Sequence, residues 1–296
     1  MRRLLSCLLL LLVLPWLSAA EPPKLMSAAD LGTLGDPPAD ARIAYGADPL
    51  QFVDLRLPAG QGPHPVMILI HGGCWLSQFN ITHVGNLARA FADEGIATWT
   101  VEYRRVGDAG GGWPGTFQDI ARAADHLLEV ADTYALDTQR VIVAGHSAGG
   151  HLALWLAARE KFLSNPLFSS ANPLRLRGVL ALAPAADLVL LHEKGVCDQV
   201  IDKLMGGSPV EVPERYAIAS LPGLLPIKLP QTIIVGAHDT DWRPIGERYY
   251  QLALAEMDPV ELLEAPESGH FEMIDPGSST WPLVLDAAYR LLDTAP

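Results

Sequence analysis

Gly145-His146-Ser147-Ala148-Gly149 is the stretch that decides how this chain folds, and it fits the pattern G-x-S-x-G. It lies between an apolar run, Val141-Ile142-Val143-Ala144, and a segment of helical pattern, residues 150–159. Strand, sharp turn and helix is the context in which such a serine sits on a strained turn, its hydroxyl exposed above a sheet. The flanking glycines suit a turn where a Cβ atom would collide with the neighbouring strand and helix. The stretch therefore predicts a nucleophilic serine, Ser147.

A second motif with adjacent glycines follows an earlier apolar run. Val66-Met67-Ile68-Leu69-Ile70 predicts a buried strand, and His71-Gly72-Gly73-Cys74-Trp75 comes directly after it. A glycine pair lets the backbone turn N–H groups toward a developing negative charge. We therefore predict an oxyanion hole formed by the N–H groups of Gly72, Gly73 and Ala148, the last at the positive end of the helix after the serine. The alternative is a plain tight turn at the two glycines.

Strand-like and helix-like segments alternate along the rest of the chain. Predicted strands cover 51–57, 66–70, 96–101, 141–144, 178–183, 232–235 and 260–263, and predicted helices cover 81–94, 116–131, 150–159, 247–256 and 280–292. This alternation predicts an α/β fold with a mostly parallel central sheet flanked by helices. Residues 185–229 lack clear periodicity, so we expect them to form a lid inserted after the predicted strand 178–183. Residues 22–49 are rich in Pro, Gly, Ala and Asp and predict irregular structure.

A serine hydroxyl needs a base to take its proton and a carboxylate to orient that base. With this kind of turn, the acid and then the base follow the serine in the chain, on loops at the carboxyl ends of strands. Asp239 comes just after one predicted strand, and His270 comes after the next. We therefore predict Ser147, Asp239 and His270 as the catalytic residues. Asp241, which by position suggests a helix cap, and Asp187, after the preceding strand, are alternative acids.

For the histidines other than His270, the sequence favours structural roles over catalytic ones. His238 is the rival base, but it adjoins the predicted acid and could not easily reach the serine as well. The others are expected to be structural: His71 and His146 as hydrogen-bonded loop residues, His151 as a core polar group, and His83 and His126 as ordinary helix residues.

The N-terminus has the three-part pattern of a secretory signal peptide. Arg2-Arg3 is basic, residues 4–17 are almost continuously apolar, and Ser18-Ala19-Ala20 supplies small residues ahead of Glu21. We predict a signal peptide over residues 1–20 and one catalytic domain over 21–296. The protein is then expected to be exported, periplasmic or secreted, with no stable membrane span after cleavage. An uncleaved anchor is the alternative.

The net charge and the cysteine content of the chain exclude some classes of partner and ligand. The net charge of −13 disfavours nucleic acids and anionic membrane surfaces. Cleavage would leave two cysteines, Cys74 and Cys197, and neither has a second cysteine at zinc-site spacing. We therefore expect no metal. In an oxidising compartment the pair could bridge the predicted oxyanion loop and the lid, and two free thiols are the alternative. The sequence does not indicate the oligomeric state.

These motifs resemble those of the α/β-hydrolase superfamily, in its His-Gly-Gly-x-Trp esterase branch, over nearly the whole mature chain. Several segments are also similar to arylformamidases, the kynurenine formamidases: residues 71–75, 145–149, 235–239 and 269–272. The resemblance implies the same catalytic residues, Ser147, Asp239 and His270. It implies hydrolysis of a small-molecule carboxylic ester through an acyl-enzyme, with no cofactor. A formamidase-type amidase is the first alternative, and a non-catalytic binding protein on this fold is another.

Overall fold

A computed structural model describes residues 24–293, so the predicted signal peptide lies outside the described residues. The described strands are β1 Ala41–Ala44, β2 Phe52–Arg56, β3 His64–Ile70, β4 Ala97–Val101, β5 Leu136–His146, β6 Gly178–Leu182, β7 Gln231–Gly236 and β8 Val260–Ala265. They form one sheet in the order β1-β2-β4-β3-β5-β6-β7-β8. β1 pairs with β2, and β2 with β4, in antiparallel fashion, while every other pairing is parallel. The predicted α/β-hydrolase fold is confirmed.

Helices cover both faces of this sheet. The described α-helices are α1 Gly85–Asp93, α2 Gly115–Val130, α3 Ala148–Ala157, α4 Leu188–Glu193, α5 Val196–Met205, α6 Pro213–Ala219, α7 Arg243–Ala255 and α8 Trp281–Asp293. Short 3-10 helices cover Asp30–Thr33, Ile81–Val84, Arg159–Phe162, Leu221–Leu224 and Glu272–Ile274. Within residues 24–293, none of the helices is long and apolar enough to span a bilayer.

The sheet has a hydrophobic core on each face. Along β3, Val66, Ile68 and Ile70 belong to the core that α2, α3 and α7 cover, and Met67 and Leu69 to the core under α1 and α8. Successive strand side chains point to opposite faces, so a strand buried on both faces is apolar throughout. Burial of each such side chain contributes about 1.5–3 kcal/mol relative to exposure.

The N-terminal segment 22–49 is not wholly irregular, and that prediction was wrong for β1. β1 pairs with β2 at the edge of the sheet, with Ile43 opposite Val53. Its four side chains alternate between half-buried and exposed. The strand therefore forms because the edge of β2 offers hydrogen-bonding groups, since its own hydrophobic pattern is too short to predict it.

The inserted segment 185–229 is more ordered than its sequence predicts. It contains α4, α5, α6 and a 3-10 helix, and its residues Leu188 and Leu204 are fully buried. Two side chains of α3 reach it: Trp155 Nε1 donates to the Ile218 carbonyl at 3.0 Å, and His151 Nε2 lies 2.8 Å from the Ala219 carbonyl. The helices are six to ten residues long, so each shows too few turns for a clear period. Contact with α3 orders the segment instead.

The parallel register brings the predicted site loops to one edge of the sheet. Gly145 near the end of β5 pairs with Ile70, the last residue of β3, and with Ala181 of β6. Gly236 and Ala265, the last residues of β7 and β8, pair with each other. Since parallel strands end at the same edge, the loops after β3, β5, β7 and β8 are neighbours.

Candidate active site

Ser147 lies on the sharp turn between β5 and α3, as the sequence predicts. Its backbone has φ 55° and ψ −116°, a conformation that costs a non-glycine residue about 1–3 kcal/mol. Its N–H donates to the Leu182 carbonyl at 2.8 Å, and its carbonyl accepts from the N–H groups of His151 and Ala185, both at 3.1 Å. These bonds join the turn to β6 and to α3, and so hold the strained residue in place.

The glycines around Ser147 are required by close contacts. A Cβ atom on Gly145 would lie 2.2 Å from the Gly149 carbonyl oxygen, and one on Gly149 would lie 2.1 Å from the Ile70 carbonyl oxygen. Both distances are far shorter than a van der Waals contact. The turn therefore packs backbone to backbone, which allows α3 to begin directly above the end of β3.

The loop after β3 also has an unusual backbone. Gly73, Cys74 and Trp75 have φ of 103°, 52° and 55°, which only glycine adopts easily. The loop is supported through His71, which is fully buried. The Tyr103 hydroxyl donates to the His71 carbonyl at 3.0 Å, and the two rings stack with centroids 4.4 Å apart.

A buried carboxylate, Glu102, anchors this loop from the end of β4. Its Oε1 lies 3.1 Å from His71 Nε2 and 3.0 Å from Arg105 Nη1, and its Oε2 accepts from the Ile81 N–H at 3.0 Å. Burial opposes ionisation of Glu102, but His71, Arg105 and the Ile81 N–H outweigh it and hold its pKa below the ordinary value. Sequence reasoning missed Glu102, although its place at the carboxyl end of a strand was a usable signal.

The structure brings the predicted acid and base together. His270 Nδ1 lies 2.7 Å from Asp239 Oδ2. Since a carboxylate only accepts, Nδ1 carries the proton and Nε2 is left with a free lone pair. The Trp242 ring stacks on the His270 ring, with the ring centroids 5.2 Å apart. The backbone N–H of Trp242 donates to Asp239 Oδ1 at 3.1 Å. The acid and the base are thus fixed relative to each other.

The alternative base His238 and the alternative acids Asp241 and Asp187 take no part in the His270–Asp239 contact. His238 and Asp241 are exposed, and the expectation that Asp241 caps a helix is wrong, because the N-cap position of α7 is Trp242 and has no side-chain cap. Asp187 instead caps α4 through the Leu190 N–H and pairs with Arg248 at 3.3 Å.

His146 connects the serine turn to the loop of the base. It precedes Ser147, its ring lies 4.6 Å from the His270 ring, and its Nε2 lies 2.8 Å from the His270 carbonyl. The prediction that His146 is hydrogen-bonded beside the serine is confirmed. His146 is, however, the last residue of β5 and not a loop residue. His83 is not the ordinary helix residue that the sequence indicates, because its Nε2 lies 3.0 Å from His146 Nδ1 in a buried contact. Its partner is 63 residues away in sequence, so helical periodicity could not reveal it.

Cys74 and Cys197 form a disulfide bond, which settles the alternatives left open by the sequence. It joins the loop after β3 to the start of α5, where Cys197, Asp198 and Gln199 have left-handed backbone angles.

A cavity of about 430 Å³ lies beside this disulfide, and its lining includes Cys197, Lys194, Thr240 and Trp242. A second cavity of about 480 Å³ lies in the inserted segment, next to Asp187 and Arg248. Neither Ser147 nor His270 is among the lining residues of either cavity. The first is lined by Trp242, whose ring stacks on His270, and this shared residue makes it the candidate substrate pocket.

No metal centre is found among residues 24–293, since no three side chains of the ligand types His, Cys, Asp and Glu are suitably grouped there. The site consists of a strained serine, a histidine–carboxylate pair and a glycine-containing loop. Chemically, this set suits nucleophilic attack on a carbonyl group.

Comparison with known families agrees with this geometry. The sequence profile of the BD-FAE family matches residues 53–241. The chain belongs to the BD-FAE family. This is a family of α/β-hydrolase esterases, so the predicted resemblance to such esterases is confirmed.

This BD-FAE member is also similar to several named esterases, at low sequence identity. It is 27% identical to a probable isoprenylcysteine alpha-carbonyl methylesterase of Oryza sativa subsp. japonica over 67% of this chain and 49% of the relative. It is 26% identical to esterase LipI of Mycobacterium tuberculosis over 75% of this chain and 74% of the relative. Esterase B of Lactobacillus rhamnosis, a solved structure, superposes with a TM-score of 0.77 at 22% identity, covering 90% of each chain. This chain spans about half of the rice relative's length, and 28% of the length of rat neutral cholesterol ester hydrolase 1, which matches at 34% identity over 38% of this chain.

We predict that Cys197→Ser lowers the free energy of unfolding by about 2–4 kcal/mol, because the bridge closes a long loop in the unfolded chain. The residues it joins are 123 apart. Chemical denaturation of the oxidised protein and the variant measures the loss, and the reduced parent protein should match the variant. The variant Cys74→Ser is the control and should lose as much. Equal stability with and without reductant, or two titratable thiols in the unfolded, unreduced protein, would contradict the bridge.

Proposed function

We propose that this protein is a carboxylic-ester hydrolase that works through an acyl-enzyme formed on Ser147. The observation that carries the proposal is the 2.7 Å contact of His270 Nδ1 with Asp239 Oδ2, on loops beside the strained turn of Ser147. Membership of an esterase family supports the same reaction. The substrate class proposed is a small-molecule ester, and the cavity of about 430 Å³ beside Trp242 has a suitable size.

In the proposed first step, His270 Nε2 takes the proton of the Ser147 hydroxyl as its oxygen attacks the ester carbonyl. Asp239 keeps the imidazole in the required tautomer and stabilises it when it becomes charged. The negative charge on the carbonyl oxygen is stabilised by the N–H groups of Gly72, Gly73 and Ala148. One such donor typically changes the rate by about 10²–10³-fold.

In the proposed second step, His270 gives its proton to the leaving alcohol, and the acyl group stays on Ser147. His270 then takes a proton from water, which attacks the acyl carbonyl, and the acid leaves as Ser147 regains its proton. Trp242 stacks on His270 and borders the cavity. We therefore assign the cavity to the part of the ester that leaves next to His270.

We predict that the mature protein hydrolyses short p-nitrophenyl esters and that Ser147→Ala lowers kcat/KM by more than about a thousandfold, because no other nucleophile lies on the turn. Turnover is compared with that of N-formylkynurenine under the same conditions. Much faster cleavage of the formamide would replace the esterase by a formamidase with the same residues. Absence of turnover on both, from folded protein, would favour a binding protein.

We predict that Asp239→Asn lowers kcat by about 10⁴-fold, because the amide no longer holds the His270 tautomer that leaves Nε2 free. Asp241→Asn is the matched control, two residues along the same loop and exposed. Asp241 lines the cavity proposed for the substrate, so its replacement is free to change KM. Its kcat should nevertheless stay within about fivefold of the parent value, because the His270–Asp239 pair is intact. A larger loss in Asp241→Asn than in Asp239→Asn would assign the acid to the other residue.

We also propose that the protein is exported. The Cys74–Cys197 disulfide supports this, because structural disulfides persist mainly in oxidising compartments. If residues 1–20 are a signal peptide, protein expressed with its native N-terminus should be recovered outside the cytoplasm and should begin at Glu21. Mass spectrometry of the exported fraction measures that terminus. Full-length chain in the membrane fraction would indicate the uncleaved anchor instead.

A further inference from the structure

Two histidines form a buried pair beneath the proposed catalytic residues. His146 is fully buried and His83 is 9% exposed. His83 Nε2 lies 3.0 Å from His146 Nδ1, and His146 Nε2 lies 2.8 Å from the carbonyl oxygen of His270. The chain of contacts therefore runs from the 3-10 helix before α1, through the residue next to Ser147, to the backbone of the proposed base.

The partners of His146 determine where its proton sits. A carbonyl oxygen only accepts, so His146 Nε2 carries the hydrogen and donates it to His270. In the neutral ring Nδ1 then accepts, and His83 Nε2 must donate to it. His83 Nδ1 has no hydrogen-bond partner among the described residues, as suits the nitrogen left without a hydrogen. One neutral tautomer of each ring satisfies both contacts.

Burial favours the neutral form of both rings. It lowers the pKa of His146 well below the ordinary histidine value, and the nearby His270 and His83 rings lower it further. It also lowers the pKa of His83 to about 3, with His71 and His270 adding to the effect. A histidine with a lowered pKa is neutral at all pH values above that pKa. The pair is therefore neutral at neutral pH and does not compete with His270 for protons.

The same pair lies against the predicted oxyanion loop. A Cβ atom on Gly72 would be 2.7 Å from the His146 carbonyl oxygen, 3.2 Å from His146 Nδ1 and 3.3 Å from His83 Nε2. The Cα atom of Gly72 thus rests on the hydrogen bond between the two rings. Three parts of the site meet here: the loop after β3, the turn of Ser147 and the loop of His270.

We propose that His146, held by His83, is a positioning residue that fixes the backbone of His270 and supports the oxyanion loop at Gly72. Its donor sets the distance of the His270 loop from the Ser147 turn, and the His83 bond sets the angle of that donor. A shift of about 1 Å in such a group can cost about 10²-fold in rate. The proposal rests on the proposed function for its kinetic readout only.

The test compares three variants in the full chain. His146→Phe keeps a ring but removes the donor, His146→Gln keeps a donor near the Nε2 position, and His151→Phe is the matched control. His151 is also fully buried, and its Nε2 also lies 2.8 Å from a carbonyl oxygen, that of Ala219 in the inserted segment. Each variant is measured for kcat and KM on a short p-nitrophenyl ester and for thermal stability. The low-field NMR signal of His270 Nδ1–H, assigned by its loss in His270→Gln, is recorded as well.

We expect His146→Phe to lose about 10–100-fold in kcat with KM within about threefold, and to shift the low-field signal. His146→Gln should recover most of the rate. His151→Phe should keep both kcat and the signal, even if its melting temperature falls or its KM rises because the inserted segment loses a contact. If His146→Phe does not fold, His83→Leu tests the same bond, with a smaller loss of kcat and a shifted signal expected.

Three results would overturn the proposal: unchanged kcat in folded His146→Phe, equal losses in His146→Phe and His146→Gln, or equal losses in His146→Phe and His151→Phe. An inactive parent protein would refute the proposed function alone. The NMR signal would then still decide the role of His146, by moving in His146→Phe and not in His151→Phe, or by failing to do so.

Discussion

The left-handed backbone of Ser147 is the constraint on which the rest of the site depends. A serine with φ 55° is unfavourable by itself, so the surrounding structure must supply the free energy that holds it. That energy comes from hydrogen bonds to β6 and to the loop after it, and from packing in which Gly149 meets the end of β3 without any side chain between them. Contacts with the adjacent strands therefore offset the strain at Ser147, and the glycines of the turn make those close contacts possible.

The loops around Ser147 are held by contacts from other elements. Glu102 at the end of β4 fixes His71, the disulfide fixes Cys74 to the inserted segment, and His146 fixes the carbonyl of His270. The Glu102–His71 contact is buried and the His146–His270 contact is partly buried. In such surroundings a hydrogen bond is stronger than in water and an unsatisfied group is more costly. Loops with little regular structure can thus keep a defined geometry.

How much of this can be predicted from sequence depends on the type of contact. The positions of Asp239 and His270 are predictable because parallel strands end at one edge of the sheet. Residues that directly follow two neighbouring strands therefore lie close together in space. The order of the inserted segment 185–229 is not predictable from its sequence, because its short helices are stabilised by contact with His151 and Trp155 of α3. The role of His83 is not predictable either. Its partner His146 lies at the end of β5, far away in sequence, and helical periodicity treats His83 as one more residue of a helix.

From the sequence we could predict the α/β sheet, the position of the sharp turn at Ser147, and the chain order of Ser147, Asp239 and His270. These follow from hydrophobic periodicity and from glycine positions, which are properties of short stretches of chain. Only the tertiary structure decided that Asp239 and not Asp241 meets the imidazole, that Cys74 bonds to Cys197, and that two buried histidines lie beneath the site. Such contacts join residues far apart in the chain, and side-chain direction and burial, which periodicity does not encode at single positions, select among the candidates.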